Sequence, residues 1–196
     1  MPVMLGSKYN WSNKRHLDLL SASGADGRLF FKAGGERAEV FLNKNGISKV
    51  IYRVPDGKRT ILRPSDAKRI VVGRGNTERD VYHWLKPGGP APTMRLGLTC
   101  HRGKGTWSSL PHEFELDVES GFEEVFFHLI SGSTGRALQF GRGVWVNGEK
   151  VDEVWPVADR QFSTVPMGYH PVVGEPGVRV SYIWVYLAKH SRWEKI

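Results

Sequence analysis

Short stretches rich in β-branched and aromatic residues recur roughly every ten residues along this chain, and glycine, proline, asparagine or aspartate separates them. The turn residues are clearest at 43–46 (NKNG) and 55–57 (PDG). Such spacing is typical of an all-β sandwich or barrel. The predicted strands are residues 28–32, 38–42, 49–54, 69–72, 80–85, 94–99, 122–130, 136–140, 151–157, 162–165 and 178–187. One short helix is expected over residues 11–20, and the predicted fold class is all-β.

The predicted strand at 122–130 has two different faces, because alternate residues of a strand point to opposite sides of the sheet. Glu124, Phe126 and His128 share one face, whereas the opposite face is wholly apolar. A buried glutamate without a partner costs several kcal/mol. The pattern therefore favours a face that lines a cavity for a cation or a polar ligand. The solvated face of an edge strand is the alternative.

The predicted strand at 178–187 is apolar on both faces, which predicts a central position in its sheet. Tyr182 lies on this strand, and a tyrosine can fill a core while offering a hydroxyl group to a pocket. His112, Glu124 and His170 together form an oxygen and nitrogen ligand set that suits zinc, manganese, iron or nickel. From spacing alone, a structural role for each histidine remains the alternative.

Composition excludes several classes of protein. The longest apolar run, residues 182–188, is far shorter than the roughly 20 residues of a membrane span. The first residues contain no apolar stretch of the kind that secretory signals carry. A single cysteine, Cys100, excludes an intramolecular disulfide and a cysteine-rich zinc site. We therefore expect a soluble, cytoplasmic protein that does not bind membranes.

Charge is unevenly distributed along the chain. Residues 1–105 contain 20 Lys and Arg against 8 Asp and Glu, whereas residues 106–196 contain 8 against 12. A solvated surface, a site for a small anion and a nucleic-acid surface are three interpretations of the basic half. The basic residues are scattered and do not alternate with aromatic residues, so nucleic acid is the least favoured partner.

The segment Pro166-x-Gly168-x-His170 resembles the second motif of the cupin superfamily. More narrowly, residues 63–196 resemble the family that unites 5-deoxy-glucuronate isomerase with 5-keto-4-deoxyuronate isomerase. The matching stretches are RPSD at 63–66, GRGN at 73–76, RDVYH at 79–83, TWSSLP at 106–111, EEVFFH at 123–128, LQ at 138–139 and VPMGYHP at 165–171. The resemblance implies a cupin-type β-barrel (jelly roll) over residues 63–196. Residues 1–62 are then a reduced N-terminal β unit.

The resemblance also implies a metal site, with zinc as the first choice and manganese, iron or nickel as alternatives. The family holds its metal with two histidines of a Pro-x-His-x-His pattern, a glutamate, and the histidine after Pro-x-Gly-Tyr. Glu124 and His170 match the last two ligands, so we expect the fold to bring them within a few ångströms of each other. This chain departs from the family at the first two ligands.

Two alignments remain open for that histidine pair. Without a gap, Glu113 and Glu115 occupy the two positions. A shift by one residue places His112 and Phe114 there, and we favour it because it keeps one imidazole. Glu115 then follows the pair at an acidic position and is the predicted catalytic base.

The activity that the resemblance implies is an aldose–ketose isomerisation of a sugar acid. A bound metal polarises the carbonyl, and a base moves the neighbouring proton through an enediol. His128, Gln139 and Tyr182 are the predicted substrate-binding residues, and Arg74 or Arg79 is a candidate partner for a uronate carboxylate.

Two other functions stay open because the full ligand set is not present. One is a cupin that binds a carbohydrate or small anion without isomerase activity. The other is a different metal-dependent reaction on the same scaffold. In each case the expected partner is a small sugar or sugar acid, and a homo-oligomer is expected because long strand edges favour association.

Overall fold

The computed structural model describes residues 19–25, 27–108, 124–144, 150–165 and 167–188. Within these ranges the regular structure is β-strand, apart from two single 3₁₀ turns at Pro64–Asp66 and Gly75–Thr77. The all-β prediction is confirmed. The short helix expected over residues 11–20 lies almost wholly outside the described residues. No described segment forms a helix with the length and apolar character needed to cross a membrane.

The first five strands form an antiparallel sheet in chain order, which we call the N-terminal sheet. Its second strand shows the alternation expected of a sheet with one buried face: Leu29 and Phe31 are buried, whereas Arg28 and Lys32 are exposed. Glycines at positive φ, such as Gly46 (φ 111°), make the tight turns between strands. The strands are β1 (Ser21–Ala25), β2 (Arg28–Ala33), β3 (Glu36–Asn43), β4 (Gly46–Arg53) and β5 (Arg59–Leu62).

A six-stranded central sheet follows, with the strand order β13-β10-β16-β8-β7-β6. Its strands are β6 (Lys68–Val72), β7 (Arg79–Leu85), β8 (Met94–His101), β10 (Glu124–Gly132), β13 (Phe162–Val165) and β16 (Val178–Leu187). Strand β16 pairs with β10 on one side and β8 on the other, which confirms the predicted central position of this doubly apolar strand. Strand β10 is also an inner strand, so the edge-strand interpretation of its polar face is wrong.

The remaining strands form the C-terminal sheet, in the order β12-β11-β15-β9. They are β9 (Trp107–Ser108), β11 (Arg136–Val144), β12 (Lys150–Ala158) and β15 (Val172–Gly174). A short additional strand, β14 (Met167–Tyr169), pairs with β11. His170, the residue after β14, lies against Phe126 of the central sheet.

Each face of the central sheet is covered by another sheet. Phe127 and Ile183 point toward the N-terminal sheet and share an apolar core with Leu29 and its neighbours. Alternate residues point the other way, so Phe126 shares a second core with Trp155 of the C-terminal sheet. The molecule is thus three layers of sheet with two cores.

The predicted jelly-roll arrangement is confirmed, and its facing sheets are not closed into a barrel. Among the described residues, β6 and β13 end the central sheet, and β12 and β9 end the C-terminal sheet. Closure would require ladder hydrogen bonds between these edges. Packed aromatic side chains, including Phe126, Trp155 and Tyr182, fill the space between the two sheets and hold them together instead.

Five observed strands were not predicted: β1, β5, β9, β14 and β15. The sequence of β1, SASGA, contains no β-branched or aromatic residue, and it is a strand because its backbone pairs with β2. Strands β9, β14 and β15 are only two or three residues long, too short to show alternation. The division into units at residue 62 remains a prediction, because one core joins the N-terminal and central sheets.

Candidate functional site

The polar residues of interest lie in the layer between the central and C-terminal sheets. We call the side chains that point into this layer, from either side, the inner face. The members contributed by the central sheet are Arg79, Thr99, His101, Glu124, His128, Ser163 and Tyr182, and those from the facing side are Thr106, Ser108, Gln139 and His170. All of them are buried. So many buried polar groups in one layer need partners or a ligand, because an unsatisfied buried group costs about 1–3 kcal/mol.

Glu124 and His170 contact each other in this layer. Glu124 is the first residue of β10, and His170 follows β14 in the VPMGYHP stretch. The Nε2 atom of His170 lies 3.2 Å from the Oε2 atom of Glu124, with the side chains 2% and 5% exposed. The fold therefore brings these two side chains together, as the sequence led us to expect.

The donor pair fits a shared divalent cation. Bonds of about 2.1 Å at a tetrahedral zinc place two donor atoms about 3.4 Å apart, close to the observed separation. Two donors do not complete a site, and no group of three or more His, Cys, Asp or Glu that could hold a metal occurs within the described ranges. His112 and Glu115, the other predicted ligand and the predicted base, lie outside those ranges. Their roles stay predictions.

Aromatic rings form the wall beside this pair. The Phe126 ring lies 5.7 Å from the His170 ring and stacks on Tyr182 at 4.4 Å. The Tyr182 hydroxyl group shares a hydrogen bond of 3.1 Å with the Ser108 hydroxyl group. Burial raises the pKa of Tyr182, so its hydroxyl group stays protonated. The Ser108 hydroxyl group donates to the Val172 carbonyl oxygen (3.3 Å), so Tyr182 donates to Ser108 and its oxygen can accept a further hydrogen bond.

His128 lies two residues beyond Phe126 on the same face. Its Nε2 atom is 2.8 Å from the Ser163 hydroxyl oxygen, and its Nδ1 atom has no hydrogen-bond partner among the described residues. Burial lowers the pKa of His128 to about 3, so the ring is neutral at physiological pH. Substrate binding by His128 stays a prediction, and Nδ1 is the atom with capacity for it.

Gln139 holds the backbone that carries His170. Its Nε2 atom donates to the carbonyl oxygens of His170 (2.8 Å), Pro171 (3.2 Å) and Phe140 (3.0 Å). The Oε1 atom has no hydrogen-bond partner in the described part of the chain. The amide nitrogen thus positions the His170 segment, and only the amide oxygen is left for the predicted contact with a sugar hydroxyl group.

The sequence interpretation missed His101. Its Nδ1 atom lies 2.7 Å from the Thr106 hydroxyl oxygen, and its ring centroid lies 6.2 Å from that of Tyr182. Counting alternate residues along β8 would have found it, since Thr99 and His101 alternate with the apolar Leu98 and its neighbours. Ser163 had no comparable signal, because its partner His128 is on another strand.

Some basic residues on the surface near β7 form ion pairs with carboxylates. Asp80 forms ion pairs with Arg69 (2.7 Å) and Arg102 (2.9 Å). The hydrogen bond from Arg102, more than any other contact, holds the pKa of Asp80 below its usual value. Arg74, a candidate carboxylate partner, is exposed and immediately precedes the 3₁₀ turn at Gly75–Thr77. Binding of nucleic acid stays the least favoured prediction.

The buried histidines predict a dependence of stability on pH. Burial lowers the pKa values of His83 and His101 to about 4 and that of His128 to about 3, whereas unfolded histidines titrate near about 6.5. Above that pH all three are neutral in both states. As the pH falls from about 6.5 toward about 4, the unfolded chain binds protons that the folded chain does not. The free energy of unfolding should then fall by up to about 1.4 kcal/mol per pH unit for each histidine.

Urea unfolding at pH 7.5, 6 and 5 measures this effect. His128→Gln keeps a side chain that can hydrogen-bond Ser163 and removes one titrating ring. We expect its stability to change less steeply with pH, by about one histidine's share. An unchanged slope in this variant would contradict the assignment of a low pKa to His128.

Comparison with known proteins gives the relationship of the chain. The sequence model of the KduI/IolB family matches residues 34–196. The chain belongs to the KduI/IolB family. The resemblance noted from the motifs is thereby confirmed, and it extends further toward the N-terminus than residue 63.

Relatives in the KduI/IolB family include named isomerases. The 5-deoxy-glucuronate isomerase of Geobacillus kaustophilus (strain HTA426) is 31% identical over 138 residues, which cover 68% of this chain and 49% of that protein. The 5-deoxy-glucuronate isomerase of Bacillus subtilis (strain 168) is 28% identical over 126 residues, covering 62% and 45% respectively. The chain thus spans about half the length of the curated relatives it matches.

A solved structure supports the fold. The crystal structure of an IolB-like protein from Salmonella typhimurium LT2 aligns with a TM-score of 0.59 at 20% identity, covering 91% of this chain and 75% of that chain. This likeness concerns the fold alone, and it agrees with the all-β arrangement of facing sheets.

Proposed function

We propose that this chain is a metal-dependent isomerase of a sugar acid, of the 5-deoxy-glucuronate type. The observation that carries the proposal is the buried contact of 3.2 Å between His170 and Glu124. Both residues stand where the family motif has metal ligands. Membership of the KduI/IolB family and the named isomerases among its relatives support the same reaction class.

Glu124 and His170 are the described residues that would hold the metal, and His112 is the proposed third ligand. An imidazole and a carboxylate suit zinc first, with manganese, iron or nickel as alternatives. When bound, a divalent cation polarises the substrate carbonyl and acidifies the C–H group beside it. Glu115 remains the proposed base that moves this proton.

The other inner-face residues orient the substrate and exclude water. The Tyr182 hydroxyl oxygen, held in place by Ser108, accepts a hydrogen bond from a substrate hydroxyl group. The stacked rings of Phe126 and Tyr182 keep the surroundings of Glu124 dry, which strengthens electrostatic interactions there. Gln139 fixes the backbone of His170, so the imidazole keeps its direction. We also propose that the protein is cytoplasmic and forms a homo-oligomer.

The test is a metal and activity measurement on the purified chain. The metal content is determined, the metal is removed with a chelator, and zinc, manganese, iron or nickel is added back. We expect isomerisation of 5-deoxy-glucuronate to fall at least about a hundredfold on chelation and to return with one of these metals. A chain that retains less than about a tenth of an equivalent of metal after reconstitution, yet binds a sugar acid, is a binding protein without turnover, contrary to the proposal.

A further inference from the structure

Arg79 is a buried cation on the inner face that the proposed reaction does not use. It is the first residue of β7 and pairs with His101 across the β7–β8 ladder, so both side chains point toward the C-terminal sheet. Only 7% of Arg79 is exposed. Charged side chains are almost never buried this far unless they are paired.

The pairing of Arg79 within the described residues is incomplete. Its Nη1 atom donates to the Thr77 carbonyl oxygen at 2.8 Å, and no described carboxylate forms an ion pair with it. A guanidinium group has five N–H donors, so this one acceptor leaves most of its capacity unused. Arg95, which is also buried, instead donates to the carbonyl oxygens of Ala91, Pro92 and Met94.

The surroundings of Arg79 supply hydrogen bonds without adding charge. The Nε2 atom of His101 is buried and has no hydrogen-bond partner in the described part of the chain. Burial, and next the charge of Arg79, lowers the pKa of His101 to about 4. His101 is therefore neutral at physiological pH, and Arg79 provides the positive charge at this end of the inner face.

Tyr182 connects this end to the proposed metal ligands. Its ring centroid lies 6.2 Å from that of His101, which is the ladder partner of Arg79. Its ring stacks on Phe126, which in turn contacts the His170 ring. These contacts join Arg79 and His101 to Glu124 and His170 through adjacent inner-face side chains.

We propose that Arg79, with His101, binds the carboxylate group of the substrate and makes the inner face selective for sugar acids over neutral sugars. This inference rests on the proposed function for the identity of the reacting end. The planar guanidinium group can hold a carboxylate with two parallel hydrogen bonds, and the Nε2 atom of His101 is available to a neighbouring hydroxyl group.

The experiment compares the binding of D-glucuronate and D-glucose by titration calorimetry, using the full chain and three variants. We expect the unaltered chain to bind glucuronate at least about tenfold more tightly than glucose. Arg79→Met should lose at least that factor for glucuronate with little change for glucose. Arg53→Met removes the same charge from an exposed position on β4 of the N-terminal sheet and should behave like the unaltered chain. Arg79→Lys keeps the charge but not the fork, and should lose severalfold.

Thermal unfolding followed by circular dichroism identifies any variant that does not fold, and Arg79→Lys then carries the test. Equal affinity for the two sugars in the unaltered chain, or unchanged glucuronate affinity in a folded Arg79 variant, overturns the inference. Binding is measured without turnover, so a chain that shows the preference but no isomerase activity contradicts only the proposed function. An active isomerase whose preference survives Arg79→Met contradicts only the role of Arg79.

Discussion

We expect His170→Ala and Glu124→Gln each to lower isomerase activity at least about a thousandfold, because each removes one of the two adjacent donors for the proposed metal. Loss of one ligand from a site of three or four also lowers metal affinity. The kcat for isomerisation and the metal content of each purified variant are the measurements. Glu124→Gln preserves the volume of the side chain, so it separates the loss of charge from the loss of packing.

Glu175→Gln is the matched control for this prediction. It makes the same chemical change at a residue that pairs with Arg136 at the surface, at 3.1 Å. Its activity should stay within about twofold, because surface ion pairs contribute little. If His170→Ala kept more than about a tenth of the activity and its full metal content, the metal site would have to lie elsewhere.

The second large effect is expected at Glu36, a buried carboxylate that joins two sheets. It stands at the start of β3 and accepts hydrogen bonds from the Tyr52 hydroxyl group (2.5 Å), the Thr93 amide (3.0 Å), the Thr93 hydroxyl group and the Met94 amide (3.1 Å). Thr93 and Met94 lead into β8 of the central sheet. The carboxylate therefore connects the N-terminal sheet to the strand that carries Thr99 and His101.

Glu36→Ala should lower the free energy of unfolding by about 3–5 kcal/mol, because it leaves the buried Tyr52 hydroxyl group and the Thr93 and Met94 donors without their acceptor. Urea unfolding at pH 7.5 measures the change. Glu39→Ala on the same strand removes a partly exposed ion pair with Arg28 and should cost about 1 kcal/mol or less. Equal losses in the two variants would show that the Glu36 hydrogen bonds contribute no more than a surface pair.

Prediction from the sequence was most accurate for strands whose own residues show a clear pattern of polar and apolar side chains. Alternation alone placed Glu124, Phe126 and His128 on a buried face, and the doubly apolar pattern of β16 placed that strand at the centre of its sheet. Strands that form because their backbone pairs with an adjacent strand were not predicted. Strand β1 contains only small residues, and β9 contains two residues in all.

Some contacts of the candidate site could likewise be predicted from the sequence, and others could not. The motif around His170 led to the expectation that it meets Glu124, and the structure brings them together. The hydrogen bond between His128 and Ser163 and the binding of the His170 backbone by Gln139 had no sequence signal. Each depends on which strands lie side by side, and residue spacing does not contain that information.

Local chemistry therefore determined the all-β character, the buried polar face of β10 and the donor types of the site, because strand alternation and side-chain chemistry act over a few neighbouring residues. Only the tertiary structure decided that the facing sheets stay open, that Glu36 joins two layers, and that Arg79 is buried beside His101. These features arise from contacts between residues far apart in the chain. Their energies depend on packing and burial that form only when the sheets come together.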